Sequence, residues 1–481
     1  MMCNGRMRGR ARLGLAAGPR SRRLLPAAQA LLCAVCMGIS AVCAAETLSS
    51  LLAQARAAEP SYLGAQSNVQ AAEARSRQAF GALLPQVTLS ANTNLNNREY
   101  ATRSANVPAA ADRFNSHSGQ LNITQPLWRY ANIAGLEQAD AGVAQAQHQL
   151  TGTEQELSSK LVAAWLDVAA ARDNLVFTER QSLTARRQWD IARRGAGLGI
   201  SSAPQVEDAK TKYEQALADA ALADTESDIK FAVLEQIAGP FKRFAPPYLR
   251  EDAVLADLRS DRLERWLELA DVSNPALRAA RQAFEAATLE VAKQQAGHQP
   301  TLDLVGSISN NSQAVGGFPG QAGYDIRQSA IGLQLSIPLY SGGTQSAKVV
   351  EAVANREKAR AEIEAARRAA VLAARQGWAG WHGAMARARA GLQAIASARA
   401  ALALAQAGTA QALKTELDVL QAEQQLHAGV RDFRKGRYDQ MAAWVKLRAA
   451  AGLLSEADVG SIEMAFGALA APPAGSAGVL R

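Results

Sequence analysis

Hydrophobic and polar residues alternate in four short segments of the chain. In the first segment Val87 and Leu89 flank Thr88, and a period of two places successive side chains on opposite faces of a β-strand. The alternation predicts strands at 85–97, 118–127, 300–310 and 328–339. The segments between paired strands are rich in Asn, Gly, Pro and Ala, and they predict exposed loops from Asn97 to Ser116 and from Asn310 to Arg327.

Two long segments without proline, 131–194 and 344–407, are dominated by Ala, Arg, Glu, Gln and Leu. They predict helices of about 64 residues, which at about 1.5 Å per residue reach about 95 Å. Each is followed by a break and then by a second helical segment, at 205–238 and 416–450. Because helices this long need partners along their length, each pair is expected to fold back as an antiparallel coiled coil. The predicted hairpins are 131–238 and 344–450.

The two halves of the chain repeat the same anchors in the same order. Equivalent residues are separated by 212 to 215 positions: Pro60 and Pro275, Pro85 and Pro300, Pro126 and Pro338, and Val206 and Val419. This regularity indicates a tandem duplication. The predicted domains are a first repeat at 46–258 that ends in a connector at 239–258, a second repeat at 259–466, and a flexible tail at 467–481.

The chain has 481 residues and a net charge of +8, but the charge is concentrated at one end. Residues 1–45 contain seven Arg and no acid, which leaves 45 basic against 44 acidic groups elsewhere. The Arg residues precede an apolar run at 24–42, and this order predicts a signal peptide that is cleaved after Ala44 or Ala45. All four cysteines lie in this segment. The exported chain is therefore expected to have neither disulfides nor thiolate metal sites.

The remaining residues carry no recognisable enzyme signature. The five His residues lack ligand spacing, and neither a Gly-x-Ser-x-Gly elbow nor a phosphate-binding Lys loop occurs. The glycines between Gly195 and Gly199 follow a helix instead of a strand, which favours a helix terminator over a nucleotide loop. Trp165, Trp378 and Trp381 are expected to pack between helices and not to stack on nucleic acid. We predict no catalytic, cofactor or metal site and no nucleic-acid partner.

Four strands cannot close a membrane barrel by themselves. In lipid an open sheet edge leaves backbone groups without hydrogen-bond partners, so several chains would have to pool their strands, and three chains would supply twelve. The alternative from the strands alone is a soluble four-stranded sheet that packs on helices. Two equivalent strand pairs joined to very long helices favour a membrane-anchored tube.

The element order and three sequence runs resemble the TolC family of outer-membrane factors. The runs are Pro-Leu-Tyr-Ser-Gly-Gly-Thr at 338–344, Pro-Leu-Trp at 126–128 and Leu-Asp-Val-Leu-Gln-Ala at 417–422. The resemblance covers residues 46 to about 466. It implies a mixed α and β membrane protein: a homotrimer with a twelve-stranded barrel in outer-membrane lipid, an α-helical coiled-coil tunnel in the periplasm, and an equatorial domain formed by the connector and the C-terminal region.

The resemblance also implies a function. Such proteins are passive exit ducts that work with a periplasmic adaptor, also called a membrane fusion protein, and with an inner-membrane ABC transporter or proton-driven pump. Within the family the chain is more similar to components of type I protein secretion, which export toxins. Two alternatives remain open: the outer-membrane component of a drug efflux pump, and a periplasmic coiled-coil adaptor or scaffold.

The resemblance finally implies a constriction at the periplasmic end of the tunnel. Asp418 falls on the family's first acidic-ring position, and Lys414 on its basic gate position. Gln421 replaces the second acidic residue, Gln205 replaces a carboxylate on the first hairpin, and Thr409 replaces a gate tyrosine. We expect this gate to be held more weakly than the family pattern. The alternative for Asp418 and Lys414 is that they are ordinary solvated charges of a coiled coil.

Overall fold

The computed structural model describes residues 47–100, 110–244, 249, 262–315, 322–411 and 413–466. The predicted signal peptide with Ala44 and Ala45, most of the connector and the tail at 467–481 lie outside these residues.

The described residues form a four-stranded antiparallel sheet in the order β1-β2-β3-β4. The strands are β1 (Gln86–Tyr100), β2 (Ala110–Trp128), β3 (Thr301–Val315) and β4 (Ala322–Ser336). The strands are longer than predicted at the ends where β1 leads to β2 and β3 leads to β4. At these ends Tyr100 pairs with Ala110, and Val315 pairs with Ala322. The predicted loops of about twenty residues are therefore wrong. Conversely, β4 ends before Ile337 and Pro338, because proline has no N–H to donate to the ladder.

In both halves of the chain, two helices precede the strand pair and a pair of long helices follows it. In the first half they are α1 (Leu48–Ala58), α2 (Pro60–Gly81), α3 (Tyr130–Gly197) and α4 (Ala203–Ala238). In the second half they are α5 (Leu263–Ser273), α6 (Pro275–Gln295), α7 (Thr344–Ala410), α8 (Glu416–Ala450) and α9 (Glu456–Ala465). Helices α2 and α6 both begin with proline, whose missing N–H would have no helical partner at that position.

Each long helix packs along the following helix as an antiparallel hairpin, α3 with α4 and α7 with α8. Glycines allow close approach in the second hairpin. A Cβ atom at Gly377 would lie 2.9 Å from Cα of Leu447, and one at Gly391 would lie 3.0 Å from Cα of Phe433. Any larger residue at these positions would push the helices apart.

Helix α3 also packs against α6 and α8 of the second half. Asp173 of α3 is buried, and its carboxylate accepts hydrogen bonds from Arg434 (2.8 Å) and from the hydroxyl of Tyr438 (2.8 Å) on α8. The contact therefore combines apolar packing with a buried charge whose oxygens both have partners, the condition under which a charge is tolerated in an interior.

The apolar core lies where α1, the middle of α3, the ends of α4 and α8, and α9 meet. Trp165 is 2% exposed and contacts Phe466 edge to face, with ring centroids 4.3 Å apart. Trp381 is 1% exposed in a second cluster that contains Leu447, and Trp378 packs against that cluster. The prediction that these tryptophans pack between helices is confirmed.

Candidate functional site

One face of the sheet is apolar across all four strands. The register pairs Val87 with Ile123 and Leu89 with Leu121 between β1 and β2, and Leu304 with Leu333 and Leu302 with Leu335 between β3 and β4. The central pairing of Leu121 with Ile308 joins the two halves. Because every second residue of a strand points to the same side, these side chains form one continuous apolar surface.

This apolar face is exposed in the single chain. Leu89 is 75% exposed, Leu95 84% and Ile331 80%. An exposed apolar surface of this extent marks a site of contact with lipid or with another protein. The two edge strands, β1 and β4, each pair on one side only in the sheet that the described residues form.

The opposite face of the sheet is polar and almost uncharged. It carries Ser, Thr, Asn and Gln side chains that hydrogen-bond to one another, for example Asn96 to Ser116 at 2.9 Å and Gln120 to Asn122 at 2.8 Å. At the helical end of the sheet Asp303 is 5% exposed, and Arg129 donates to both of its oxygens at 2.8 and 2.5 Å. This ion pair holds β3 against the start of α3, and it raises the pKa of Arg129 through the hydrogen bond to Asp303.

Aromatic side chains mark the same end of the sheet. Trp128 ends β2 and is 54% exposed, and Tyr130 begins α3. Tyr340, which follows β4, is 89% exposed. Exposed Trp and Tyr beside an apolar band are typical of the interface between lipid and water.

The far ends of the two hairpins have equivalent geometry. The carbonyl of Gly195 accepts the N–H of Ile200 at 2.8 Å, and the carbonyl of Gly408 accepts the N–H of Leu413 at 2.8 Å. Gly199 follows the first helix with φ of 71°, a conformation that costs glycine nothing. The glycines at 195–199 thus end a helix, as predicted.

Two of the gate candidates, Gln205 and Asp418, cap the returning helix of their hairpin. Gln205 accepts the backbone N–H of Ser202 at 2.8 Å. Asp418 accepts both the backbone N–H and the hydroxyl of Thr415, each at 2.8 Å. These are capping boxes, in which the third helical residue satisfies the backbone of the cap. Gln205 and Asp418 are 213 positions apart and occupy the same place in the two repeats.

The environment of Asp418 keeps it ionised. The hydrogen bonds from Thr415, first from its backbone and then from its hydroxyl, lower the pKa of Asp418, and the charge of Lys414 adds to the effect. Lys414 and Asp418 are therefore brought together at one hairpin end. The Lys414 side chain also lies against Gly408, where a Cβ atom would be 2.8 Å from its Cγ.

The other candidates are placed differently. Gln421 is exposed, one turn further along α8. The hydroxyl of Thr409 donates to the carbonyl of Ala405 at 2.8 Å, within its own helix. The capping boxes could have been identified from Ser-x-x-Gln and Thr-x-x-Asp at the helix starts, whereas Asp173 with its partners on α8 left no local pattern.

Neither a metal centre nor a membrane helix emerges from the described residues. Within 47–100, 110–244, 262–315, 322–411 and 413–466, no cluster of three or more His, Cys, Asp or Glu could hold a metal ion. Over the same part of the chain, none of the helices is apolar over enough of its length to span a bilayer.

The family model for outer membrane efflux proteins matches residues 51–240 and 266–453, one segment in each repeat. The chain belongs to the outer membrane efflux protein family. As a member of this family it is an outer-membrane protein from a family of channels, and the family is not one of enzymes. The outer-membrane location sets aside the alternative of a periplasmic adaptor or scaffold.

Several known proteins are similar in sequence to the chain. It is 28% identical to the outer membrane protein TolC of Vibrio cholerae over 86% of the chain and 92% of that protein. It is 26% identical to the proteases secretion protein PrtF of Dickeya chrysanthemi over 78% of the chain and 82% of PrtF. It is 31% identical to the protein CyaE of Bordetella pertussis, over 49% of each.

The fold agrees with that of a solved outer-membrane protein. The outer membrane protein VceC from Vibrio cholerae superposes with a TM-score of 0.68 and 20% identity, covering 84% of this chain and 96% of VceC. This similarity confirms a fold that is mostly helical with one sheet. The fold and the family together confirm the resemblance to TolC that the sequence runs indicated.

Proposed function

We propose that three copies of the chain pool their sheets into a twelve-stranded barrel in the outer membrane, with the helical hairpins forming a periplasmic tunnel. The observation that carries this proposal is the exposed apolar face of a sheet whose edges β1 and β4 are open. In lipid the apolar side chains are favourably placed, but the open edges are costly until another strand pairs with them. Closure through copies of the same chain satisfies both requirements at once.

The proposed role of this assembly is a passive exit duct for a type I secreted protein, with a toxin as the expected cargo. The relative PrtF is by name a protease secretion protein, and it matches the chain over 78% of its length. The polar sheet face would line the duct with neutral hydrogen-bonding groups, on which a hydrated polypeptide can pass without a strong charge barrier. In this proposal an inner-membrane ABC transporter supplies the energy and a periplasmic adaptor joins it to the duct.

The second candidate function is small-molecule efflux with a proton-driven pump. The description of the family as efflux proteins favours it. The two candidate functions predict different losses when the gene for this chain is deleted. Loss of a secreted protein from the culture medium, with unchanged antibiotic sensitivity, supports type I secretion. Intact secretion with raised antibiotic sensitivity would replace it with efflux.

We further propose that Asp418 forms a constriction ring where the hairpins end. Three carboxylates around one axis would attract multivalent cations. In this proposal Lys414, beside Asp418, is the basic residue of the gate. Gln205 and Gln421, which carry no charge, leave this constriction with few ionic links.

Channel recording tests the proposed function. The exported chain is purified from outer membranes in detergent and added to a planar lipid bilayer. The proposal predicts discrete conductance steps and recovery of the protein in the outer-membrane fraction. Recovery in the soluble periplasm without channel activity would refute it.

A further inference from the structure

Helix α7 carries a long basic stripe. From residue 365 to residue 415 the chain has seven Lys or Arg residues, one His and no acidic residue. Four side chains recur at every seventh position: Arg368, Arg375, His382 and Arg389. Seven residues are close to two helical turns, so these side chains lie on one face of α7 over about 30 Å. We call this face the basic stripe.

The equivalent positions in the first repeat are buried. The hairpin ends at Gly195 and Gly408 set the offset between α3 and α7 at 213. With this offset Arg368, Arg375 and His382 correspond to residues of α3 that are almost fully covered: Gln155 at 9% exposed, Val162 at 0% and Ala169 at 2%. In contrast Arg368 is 78% exposed, and Arg375 is also exposed.

The element that covers this face of α3 is α8, the returning helix of the other repeat. Helix α7 packs on α6 and α8 of its own repeat, but within the described residues it lacks a comparable contact with α4, the returning helix of the first repeat. The duplication makes α4 the counterpart of α8. If the two repeats make equivalent contacts, the basic stripe is covered by α4 of a second copy of the chain.

The free face of α4 has the complementary charge. The residues of α8 that face α3 include His427 and Met441, and the offset of 213 places Glu214 and Asp228 at these positions of α4. The acidic residues within about 60° of the same face are Glu207, Glu214, Asp224, Asp228 and Glu235. We call this the acidic face; Lys210, which lies 4.0 Å from Glu214, is the one basic residue on it within the described helix.

We propose that the basic stripe of α7 binds the acidic face of α4 in a second copy, and that this charge pairing directs assembly of the tunnel. The proposal rests on the proposed function in one respect, the presence of several copies. Val162 and Met441 belong to the same buried cluster inside the chain, and their counterparts are Arg375 and Asp228. These two residues are therefore expected to face each other across the interface between copies. The carboxylate of Asp228 already contacts Arg243 at 2.7 Å, and Arg375 of the other copy would be its second basic partner.

Disulfide crosslinking tests the contact, because the chain after residue 45 has no cysteine of its own. The full chain is expressed with Arg375→Cys and Asp228→Cys together, and its outer membranes are oxidised. Non-reducing gels should show covalent multiples of the chain. The matched control joins Arg375→Cys to Asp219→Cys, since Asp219 lies nine residues from Asp228 and about 180° around α4. The control should remain at the mass of one chain.

Charge reversal tests whether the pairing matters. At low salt, Arg375→Asp alone and Asp228→Arg alone should each lower the assembled fraction roughly tenfold, and the double variant should restore it to within about twofold of the wild type. Failure of the double variant to recover would overturn the pairing.

The outcomes separate the two proposals. A wild-type assembly without crosslinks in the Arg375 and Asp228 variant overturns the interface and leaves the channel intact. A wild-type protein that is a single chain overturns both proposals. A second experiment treats cells that carry Arg375→Cys with a bifunctional thiol reagent. If the masses of the crosslinked products are not multiples of this chain, another protein covers the basic stripe, and the proposal is overturned.

Discussion

A lysine on the apolar face of the sheet should destabilise the folded protein far more than one on the polar face. Ile331 is the natural position, because it is 80% exposed, points to the apolar face opposite Gly306 and lies close to the middle of β4. A lysine near the bilayer midplane of a barrel costs about 2–4 kcal/mol. The lost lipid contact of isoleucine, scaled to its exposure, adds about 1–2 kcal/mol. Ile331→Lys should therefore cost about 3–5 kcal/mol per chain, which is a hundredfold or greater change in the folding equilibrium.

The neighbouring residue provides the control. Ala330 pairs with Ser307 on the polar face, where a lysine keeps its water, so Ala330→Lys should cost less than about 1 kcal/mol. Both variants are folded into phospholipid vesicles over a range of urea concentrations. The folded fraction is followed by gel migration without heating and by circular dichroism. Equal costs for the two variants, or a larger cost for Ala330→Lys, would refute the assignment of the two faces.

Three further predictions concern the hairpins. A trivalent cation added from the periplasmic side should reduce conductance. The variant Asp418→Asn should abolish this block while keeping an acceptor for the helix cap. Since the pKa of Asp418 is lowered, the block should persist as the pH falls to about 5 and weaken only in stronger acid. An undiminished block in Asp418→Asn would place the ring elsewhere. Lys414→Ala should change resting conductance less than about twofold, because an exposed ion pair contributes little; a large increase would reveal partners beyond Asp418. Tyr438→Phe should lower stability by about 1–3 kcal/mol in thermal melts followed by circular dichroism, because buried Asp173 loses a hydrogen-bond donor, and an unchanged melt would show that the hydroxyl contributes nothing there.

The order of elements follows from the sequence because its determinants are local. Proline starts α2 and α6, and the absence of proline over more than sixty residues permits α3 and α7. The strand ends do not follow, since near Asn97 and Arg113 polar residues occupy the face that is apolar elsewhere, whereas Phe114 lies on the opposite face, so the period of two disappears. There the strands continue because their backbones are hydrogen-bonded to each other, and the sequence of side chains does not predict this pairing.

The candidate site was predictable in position but not in detail. The duplicated spacing places Gln205 and Asp418 at equivalent hairpin ends. Their capping contacts use residues three positions away, so they too are encoded locally. The pairing of Arg129 with Asp303 spans 174 positions and that of Asp173 with Tyr438 spans 265. Such contacts depend on how the two repeats pack, which a single sequence does not reveal.

The local roles of Asp418 affect how its variants must be designed. Its carboxylate both caps α8 and, in the proposed ring, faces the axis of the tunnel. An alanine at this position would remove both contributions together. Asparagine removes the charge alone, and Gln205 shows that the first repeat maintains the same cap with an uncharged amide.

The number of chains in the purified channel tests the central claim most directly. Each chain contributes four strands with two open edges, so the account requires several copies, and a closed twelve-stranded barrel requires three. Native mass spectrometry of the exported protein, released from outer membranes in detergent, should give the mass of three chains. A monodisperse species with the mass of one chain would contradict the account.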